Sequence, residues 1–598
     1  MTGEPISLPT PTDEHSAVAA TSPPGPASAA SPLLHIQDLS DRTRALAGVE
    51  AIAPFSAEGR RSIETYELKE QGKDEAELAE PEREEVKGWR LVLLLAALLL
   101  VEVLVGLDNT IVATSTATIA NEFKALTDVG WYGSAYLLTS VAFQPLAGRA
   151  YQFFPQKWVF LVGLSIFLVG NVVAGVAQSS MVLILGRAIQ GLGYAFLFIG
   201  ILAITANTLP VRSLSIVTSL MNASYGTGTV LGPLIGGAFT SKVSWRWCFY
   251  VALPPGGLAL GLIVFFLNPP RIPQTLSVRE RLYRMDWGGA VLLLGSLICL
   301  LIALQEGGIT SPWGSSKVIG LLVGFGLILA AFFALQYALG EKSSISMRLL
   351  LRNRSMAACT LLNWTCGATY FAALYYVPIF FQTVQGSSPV RAGLQTLPLI
   401  LLNMSSGIAA GWFVKHFGVV HPPMIVATIF TALGAGLHAS MDTETTDGQW
   451  IGYGIVIGIG MGAFYMLSFL YTQMALPDAD KSKGASLVCW SQIFGATIWV
   501  SASSALYANK FKHGIEKVDG VDVQAVLDSG VDRFREVVTA EQLPAVVDVS
   551  VDALWHVFLA IAMIAVIGFL SVFAIKWVSL GKADPQKQVA KKKDEEAK

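Results

Sequence analysis

The chain has 598 residues, of which 53% are hydrophobic and only 14% charged, with a formal net charge of −2. A soluble domain carries about 25% charged residues, so the composition excludes one and points to an all-α polytopic membrane protein. No basic patch with interleaved aromatics suggests nucleic acid, no GxxxxGK[ST] loop suggests ATP as a driver, and no nucleophile–base constellation suggests an enzyme.

Residues 1–89 are rich in Pro, Ser, Thr and Ala and then in acidic residues, ending "KDEAELAEPEREEVKG". Such a stretch cannot offset its ordering entropy and is expected to be a disordered cytoplasmic region, with at most a short helix near 62–86. It lacks the apolar core of a cleavable signal peptide, so the first span is expected to do the targeting. From Leu91 the apolar runs predict fourteen spans. They fall near 91–120, 131–149, 158–177, 181–208, 214–239, 247–267, 287–305, 318–339, 356–381, 391–413, 423–440, 450–475, 484–507 and 552–577. Residues 508–551 then form a long external loop, and 579–598 a polar cytoplasmic tail.

Basic residues in the short loops set the orientation. With the N-terminus in the cytoplasm, the inner loops hold Arg149, Lys157, Arg212, Arg271, Arg279, Arg281, Arg284, Lys342, Arg348, Arg352, Arg354, Lys415, Lys481 and Lys483. The short outer loops hold only Lys124, Lys242, Arg246, Lys317 and Arg391. Both termini are therefore expected inside. The N-x-S/T triplets at Asn222, Asn363 and Asn403 fall within spans and the one at Asn353 in an inner loop, so none is expected to be glycosylated. Cys248, Cys299, Cys359, Cys366 and Cys489 lie in or beside apolar runs without a CxxC pair, and the seven His show no metal spacing. Neither a disulfide framework nor a metal is expected.

Two carboxylates interrupt the first span, Glu102 and Asp108 in "VEVLVGLDNT". Each costs roughly 2.5–3.5 kcal/mol on insertion scales, and such residues usually face the protein interior and mark ion or substrate paths. Six residues apart, they are separated by about 120° around the helix. They therefore do not line one stripe, and at most one is expected to face a central path. Arg187 in "LILGRAIQGLGYAF" lies deep in the fourth span. A carboxylate whose arginine contact changes between two conformations can load and release a proton; a static ion pair is the plainer alternative. In the fifth span, "GTGTVLGPLIGGAF" places Gly228, Gly232 and Gly236 at four-residue spacing beside Pro233 and Gly237. Small residues at that spacing let helices approach closely, and proline can bend one.

These stretches resemble the fourteen-span drug:proton antiporters of the major facilitator superfamily, particularly fungal toxin and multidrug efflux pumps. "LDNTIVATSTATIA" is similar to their span-1 motif, "LILGRAIQGLG" to the span-4 LxxxRxxQGxG motif, and "GTVLGPLIGG" to the span-5 antiporter signature. "WRWCFYVALPPGG" resembles the element that opens span 6, with Ala252 where Asn is usual, and "YYVPIFFQTVQGSSPVRAGLQTLPL" is also similar to this branch. One departure is the inner loop "GRAYQFFPQKWVF": Gly148, Arg149 and Lys157 remain, but Gln152 occupies the usual acidic position.

The resemblance implies a major facilitator fold with 14 transmembrane helices arranged 6+2+6. Residues 90–267 would form one six-helix bundle, 268–340 two inserted helices, and 341–578 the second bundle. It further implies proton-coupled efflux of small amphipathic organic molecules by alternating access, with Asp108 as the matched acid and Arg187 as relay or gate. Glu102 is added from the residues themselves. Gly228, Gly232, Pro233, Gly236 and Gly237 would shape the helix interface. Tyr370, Tyr375, Gln382, Tyr465, Met466 and Gln492 are candidate substrate contacts, because aromatics, Met and amides suit amphipathic molecules. No cofactor is expected beyond a proton gradient. The partners are protons, a small-molecule substrate and the lipid bilayer, with the monomer as the working unit. The cell membrane is expected, with the vacuolar membrane as alternative. Amino-acid or siderophore transport, or a non-transporting sensor on the same fold, are the competing functions.

Overall fold

A computed structural model describes residues 88–123, 128–267, 277–529 and 534–579. Nearly all of the expected disordered region and tail lies outside the described residues.

The apolar runs form helices. They are α1 (Trp89–Phe123), α2 (Val129–Phe153), α3 (Gln156–Gly175), α4 (Ser180–Thr208), α5 (Val211–Lys242) and α6 (Leu253–Phe266). Next come α7 (Trp287–Glu306) and α8 (Ser316–Leu339). The last group is α9 (Arg354–Thr383), α10 (Leu397–Phe417), α11 (His421–His438), α12 (Asp447–Ala475), α13 (Asp478–Ile515) and α14 (Leu543–Val572). Local chemistry sets several ends. Asp286 caps α7 by accepting from the Gly289 amide at 2.8 Å, and Asn353 caps α9 by accepting from the Ser355 and Met356 amides. Gly418, at φ 71°, ends α10 in the left-handed conformation that glycine adopts without penalty.

Among the described residues, ten helices are long and apolar enough to cross a membrane: α1, α3, α4, α6 with the turn before it, α7, α8, α10, α12, α13 and α14. The other four expected spans correspond to α2, α5, α9 and α11, which carry more polar residues. Buried Ser and Thr side chains on them bond to carbonyls of their own helix, as Thr218 does to Leu214 and Thr369 to Thr365, both at 2.7 Å. Those groups face other helices, which lowers the apolarity of the segment without exposing it to lipid.

Packing divides the helices into two bundles. In the first, α1 packs on α5 and α6, and α4 on α2 and α3. In the second, α12 packs on α10 and α11, and α9 on α13 and α14. The bundles meet along two seams, α5 against α10 and α2 against α13. Helix α7 touches both sides, packing on α2 and on α13, whereas α8 packs mainly on α7 and leaves Ile319, Val323, Leu327 and Tyr337 exposed. Exposed Trp89, Trp158, Trp287, Trp412 and Trp577 sit near helix ends, where amphipathic rings suit a membrane–water boundary.

The connection expected over 508–551 is helical at both ends. Helix α13 continues to Ile515 and α14 begins at Leu543, so the connection between the two helices is shorter than hydropathy indicates. Phe511 and Ile515 explain the extension: both are buried, with Phe511 stacked on Tyr507 and against Phe534. Within this segment Arg535 donates to the carbonyls of Thr383 and Val384 at 2.7 Å, satisfying the open end of α9.

Candidate functional site

The geometry separates the two intramembrane carboxylates. Asp108 accepts from Arg187 Nη1 through Oδ2 at 2.7 Å, with both side chains essentially buried, and from Gln190 Nε2 through Oδ1 at 3.2 Å. Arg187 also donates to Gln190 Oε1 at 2.7 Å and, through Nε, to the Tyr132 carbonyl at 2.9 Å. Its guanidinium lies 4.6 Å from the centre of the Tyr136 ring. Removing such a pair from water costs several kcal/mol per ion, and this is offset only by close geometry and extra hydrogen bonds. Here α1, α2 and α4 supply both.

Glu102 lies on a different face. It is 8% exposed and lines a central cavity of about 50 Å³ between the bundles. Tyr194, Phe198, Met221, Asn222 and Tyr225 line the cavity from the first bundle, and Cys366, Tyr370, Phe371, Asn403, Met461 and Gln492 from the second. Seven helices thus converge on one point, and no Lys, Arg or His is among the lining residues. Asn222 Nδ2 donates to Asn403 Oδ1 at 3.3 Å across the bundle seam. A file of rings joins the cavity to the ion pair: Tyr194 stacks on Tyr136 with centroids 5.4 Å apart, and Tyr136 lies beside Arg187.

The span-5 glycines set how close α1 comes. A Cβ built on Gly228 would lie 2.0 Å from the Val103 carbonyl, and one on Gly106 would lie 2.1 Å from the Tyr225 carbonyl. One built on Gly232 would meet Thr110 Oγ1. The two backbones therefore touch where Glu102 and Asp108 are held, a contact only glycine permits. Across the crossing Thr110 donates to the Thr229 carbonyl at 3.0 Å and Asn109 to the Tyr225 hydroxyl at 3.0 Å. Gly106 is a partner in this crossing that the sequence motif does not mark. Pro233 is half-buried within α5 and lies against Gly393, and Gly237 faces Val390. The Gly236 carbonyl lies 3.9 Å from Cys248 Sγ.

At the arginine-rich end, Gly148 abuts Ser486 of α13. Arg149 donates to Gln152 Oε1 at 3.2 Å and to the Lys342 carbonyl at 3.0 Å. Gln152 thus still receives the arginine, as a neutral acceptor. Lys157 donates to the Val264 carbonyl at 2.6 Å, near the end of α6. At the opposite end, Glu122 accepts from the Trp245 indole at 2.7 Å and from Arg246 at 3.0 Å. The Trp-Arg-Trp element therefore ties α1 to the turn before α6.

Of the expected substrate contacts, Tyr370 and Gln492 line the cavity. Tyr375 and Gln382 do not: the Tyr375 hydroxyl lies toward Gly133, and Gln382 donates to the Pro378 carbonyl of its own helix. Both stand later on α9, beyond the turns that face the cavity. The side chains of Tyr465 and Met466 lie outside the described residues. Asn222, Asn403, Met221 and Met461 enter the lining although the sequence gives them no such role. The only signal for the two asparagines is the rarity of an amide inside an apolar run; the two methionines give none.

The sequence pattern of the Major Facilitator Superfamily matches residues 98–500. The MFS-type transporter phomT of Diaporthe leptostromiformis is 41% identical over 457 residues, covering 75% of this chain and 77% of its own. The efflux pump roqT of Penicillium rubens is 37% identical over 499 residues, covering 83% of this chain and 92% of its own. The efflux pump aflT of Aspergillus parasiticus is 36% identical over 502 residues, covering 83% and 97%. A double-tryptophan variant of XylE shares the fold, with a TM-score of 0.53 at 14% identity over 81% of this chain and 96% of its own. With the helices, their packing and these likenesses together, the chain belongs to the major facilitator superfamily, and it is similar to fungal efflux pumps and transporters within it.

Proposed function

We propose that the protein is a proton-coupled exporter of small amphipathic organic molecules, working as a monomer by alternating access in the cell membrane. All fourteen long helices span, in a 6+2+6 arrangement, and both termini are cytoplasmic. The observation that carries this reading is the cavity between the bundles, with Glu102 in its wall and the Asp108–Arg187 pair one ring-stack away. The names of the relatives, efflux pumps among them, agree with export.

The cavity of about 50 Å³ is far smaller than the roughly 300–1,000 Å³ of a drug-sized site. Substrate enters only when the bundles move apart along the α5–α10 and α2–α13 seams, which is the rocking that alternating access requires. Glu102, Asp108 and Arg187 form the proton-coupling group. Displacing α4 relative to α1 breaks the ion pair, and a carboxylate without its arginine takes up a proton more readily. The ring file Arg187–Tyr136–Tyr194 is the packed route by which a change at the cavity reaches that pair.

The test is uptake into inverted membrane vesicles under an imposed pH gradient, across a panel of amphipathic compounds. Accumulation that collapses with a protonophore supports antiport. Accumulation that survives it refutes proton coupling. Asp108→Asn is expected to remove the pH dependence before substrate binding; an unchanged dependence shifts the proton site to Glu102.

A further inference from the structure

The polar groups of the central cavity are unbalanced, and the imbalance selects a class of ligand. Glu102 makes no ion pair with any described residue, and Gln492 Oε1 is buried without a hydrogen-bond partner on a side chain 7% exposed. The Asn222 amide is already engaged with Asn403. Two acceptors from opposite bundles are thus left open, and an unpartnered buried acceptor carries a desolvation penalty until a donor reaches it. No cation lines the cavity, so an anionic ligand would be buried there with nothing to neutralise its charge. The remaining wall is aromatic and thioether: Tyr194, Phe198, Phe371, Met221 and Met461 offer ring faces and adaptable sulfur.

We infer that the cavity takes planar aromatic molecules bearing a hydrogen-bond donor, an aromatic hydroxyl or a protonated amine, and rejects their carboxylates, with Glu102 and Gln492 as the two acceptors that select the donor. This rests on the reading of the cavity as the substrate site. Because the acceptors belong to different bundles, a ligand bonded to both bridges the parts that move.

The experiment measures binding to the full chain in lipid nanodiscs, by quenching of tryptophan fluorescence and by thermal shift. The probes are three compounds of one scaffold: 6-hydroxyflavone, 6-methoxyflavone and flavone-6-carboxylate. The hydroxyl compound is expected to bind at least about tenfold tighter than the methyl ether, the loss of one hydrogen bond to a charged or buried acceptor. The carboxylate is expected not to bind. Gln492→Leu and Glu102→Leu, each of which removes an acceptor, are each expected to bring the hydroxyl-to-methoxy ratio toward one while the methyl ether binds as before. Equal binding of hydroxyl and methoxy compounds to the unaltered chain overturns the inference without relying on any variant. So does binding of the carboxylate, binding of none of the three, or a ratio unchanged in both variants. Selective binding with no transport in vesicles would refute the export reading and leave this assignment standing, so the two failures are distinguishable.

Discussion

Replacing Arg187 by Leu removes a cation held by three oxygens and leaves Asp108 with one contact, the Gln190 amide at 3.2 Å. Breaking one side of a buried pair costs about 3–5 kcal/mol because the remaining charge is uncompensated. Asp108→Asn is expected near the lower end of that range: Arg187 keeps Gln190 Oε1, the Tyr132 carbonyl and the Tyr136 ring, and an amide oxygen can still accept. Arg187→Leu is expected near the upper end. The double variant removes both charges and is expected to cost less than Arg187→Leu alone. The assay is equilibrium unfolding of the four proteins in mixed micelles, followed by far-UV circular dichroism, with transport measured at matched membrane abundance. A double variant whose cost equals the sum of the single costs would refute the argument that Asp108 and Arg187 neutralise each other.

Gly228→Val is expected to force α1 and α5 apart and abolish transport, whereas Gly261→Ala, whose Cβ enters open space, is expected to change neither transport nor thermal stability. Arg535→Ala uncaps α9 and is expected to cost about 1–3 kcal/mol, read as a lower thermal midpoint with substrate selectivity unchanged. At the C-terminal end of α1, the Trp245 indole and then Arg246 hold the Glu122 carboxyl below its ordinary value of 4.5. A depressed carboxylate contributes stability that is present above the ordinary value and lost as the pH falls through the depressed one. The thermal midpoint is therefore expected to fall below pH 4.5 more steeply in the unaltered chain than in Glu122→Gln, and parallel profiles would refute that. Tyr194→Ala, which breaks the ring file, is expected to uncouple export from the pH gradient; coupling retained at full strength would remove that route.

The sequence exposes the fold where apolarity and helix coincide, as in α3, α8 and α14. It is less informative in α5 and α9, whose Ser and Thr turn inward, and at the α13–α14 connection, where helix outlasts hydropathy because Phe511 and Ile515 find a packing partner outside any apolar run. Hydropathy marks where lipid would be, not where the backbone stops being helical. The angular argument placing Glu102 and Asp108 on different faces agrees with the structure, since rotation per residue is a local property. Which of them meets Arg187 is not local: 79 positions separate Asp108 from its partner. The Asn222–Asn403 bond spans 181 positions, and neither asparagine has a neighbour in sequence that reveals the other. Tyr375 and Gln382 stand on a helix that does face the cavity, but at another level of it, and residue type alone does not reveal the level.

Helix α7 packs on α2 of one bundle and α13 of the other, which makes it a brace across the seam between them. Its C-terminal end is tied to both: Gln305 donates to Ser134 on α2 at 3.4 Å, and Asn509 on α13 donates to the Gly307 carbonyl at 2.9 Å. Each tie is worth only about 0.5–1.5 kcal/mol, within reach of thermal breakage on the microsecond-to-millisecond scale of domain motion. If the bundles rock as proposed, these ties limit how far the seam opens before they break, and they lie away from both the cavity and the buried ion pair.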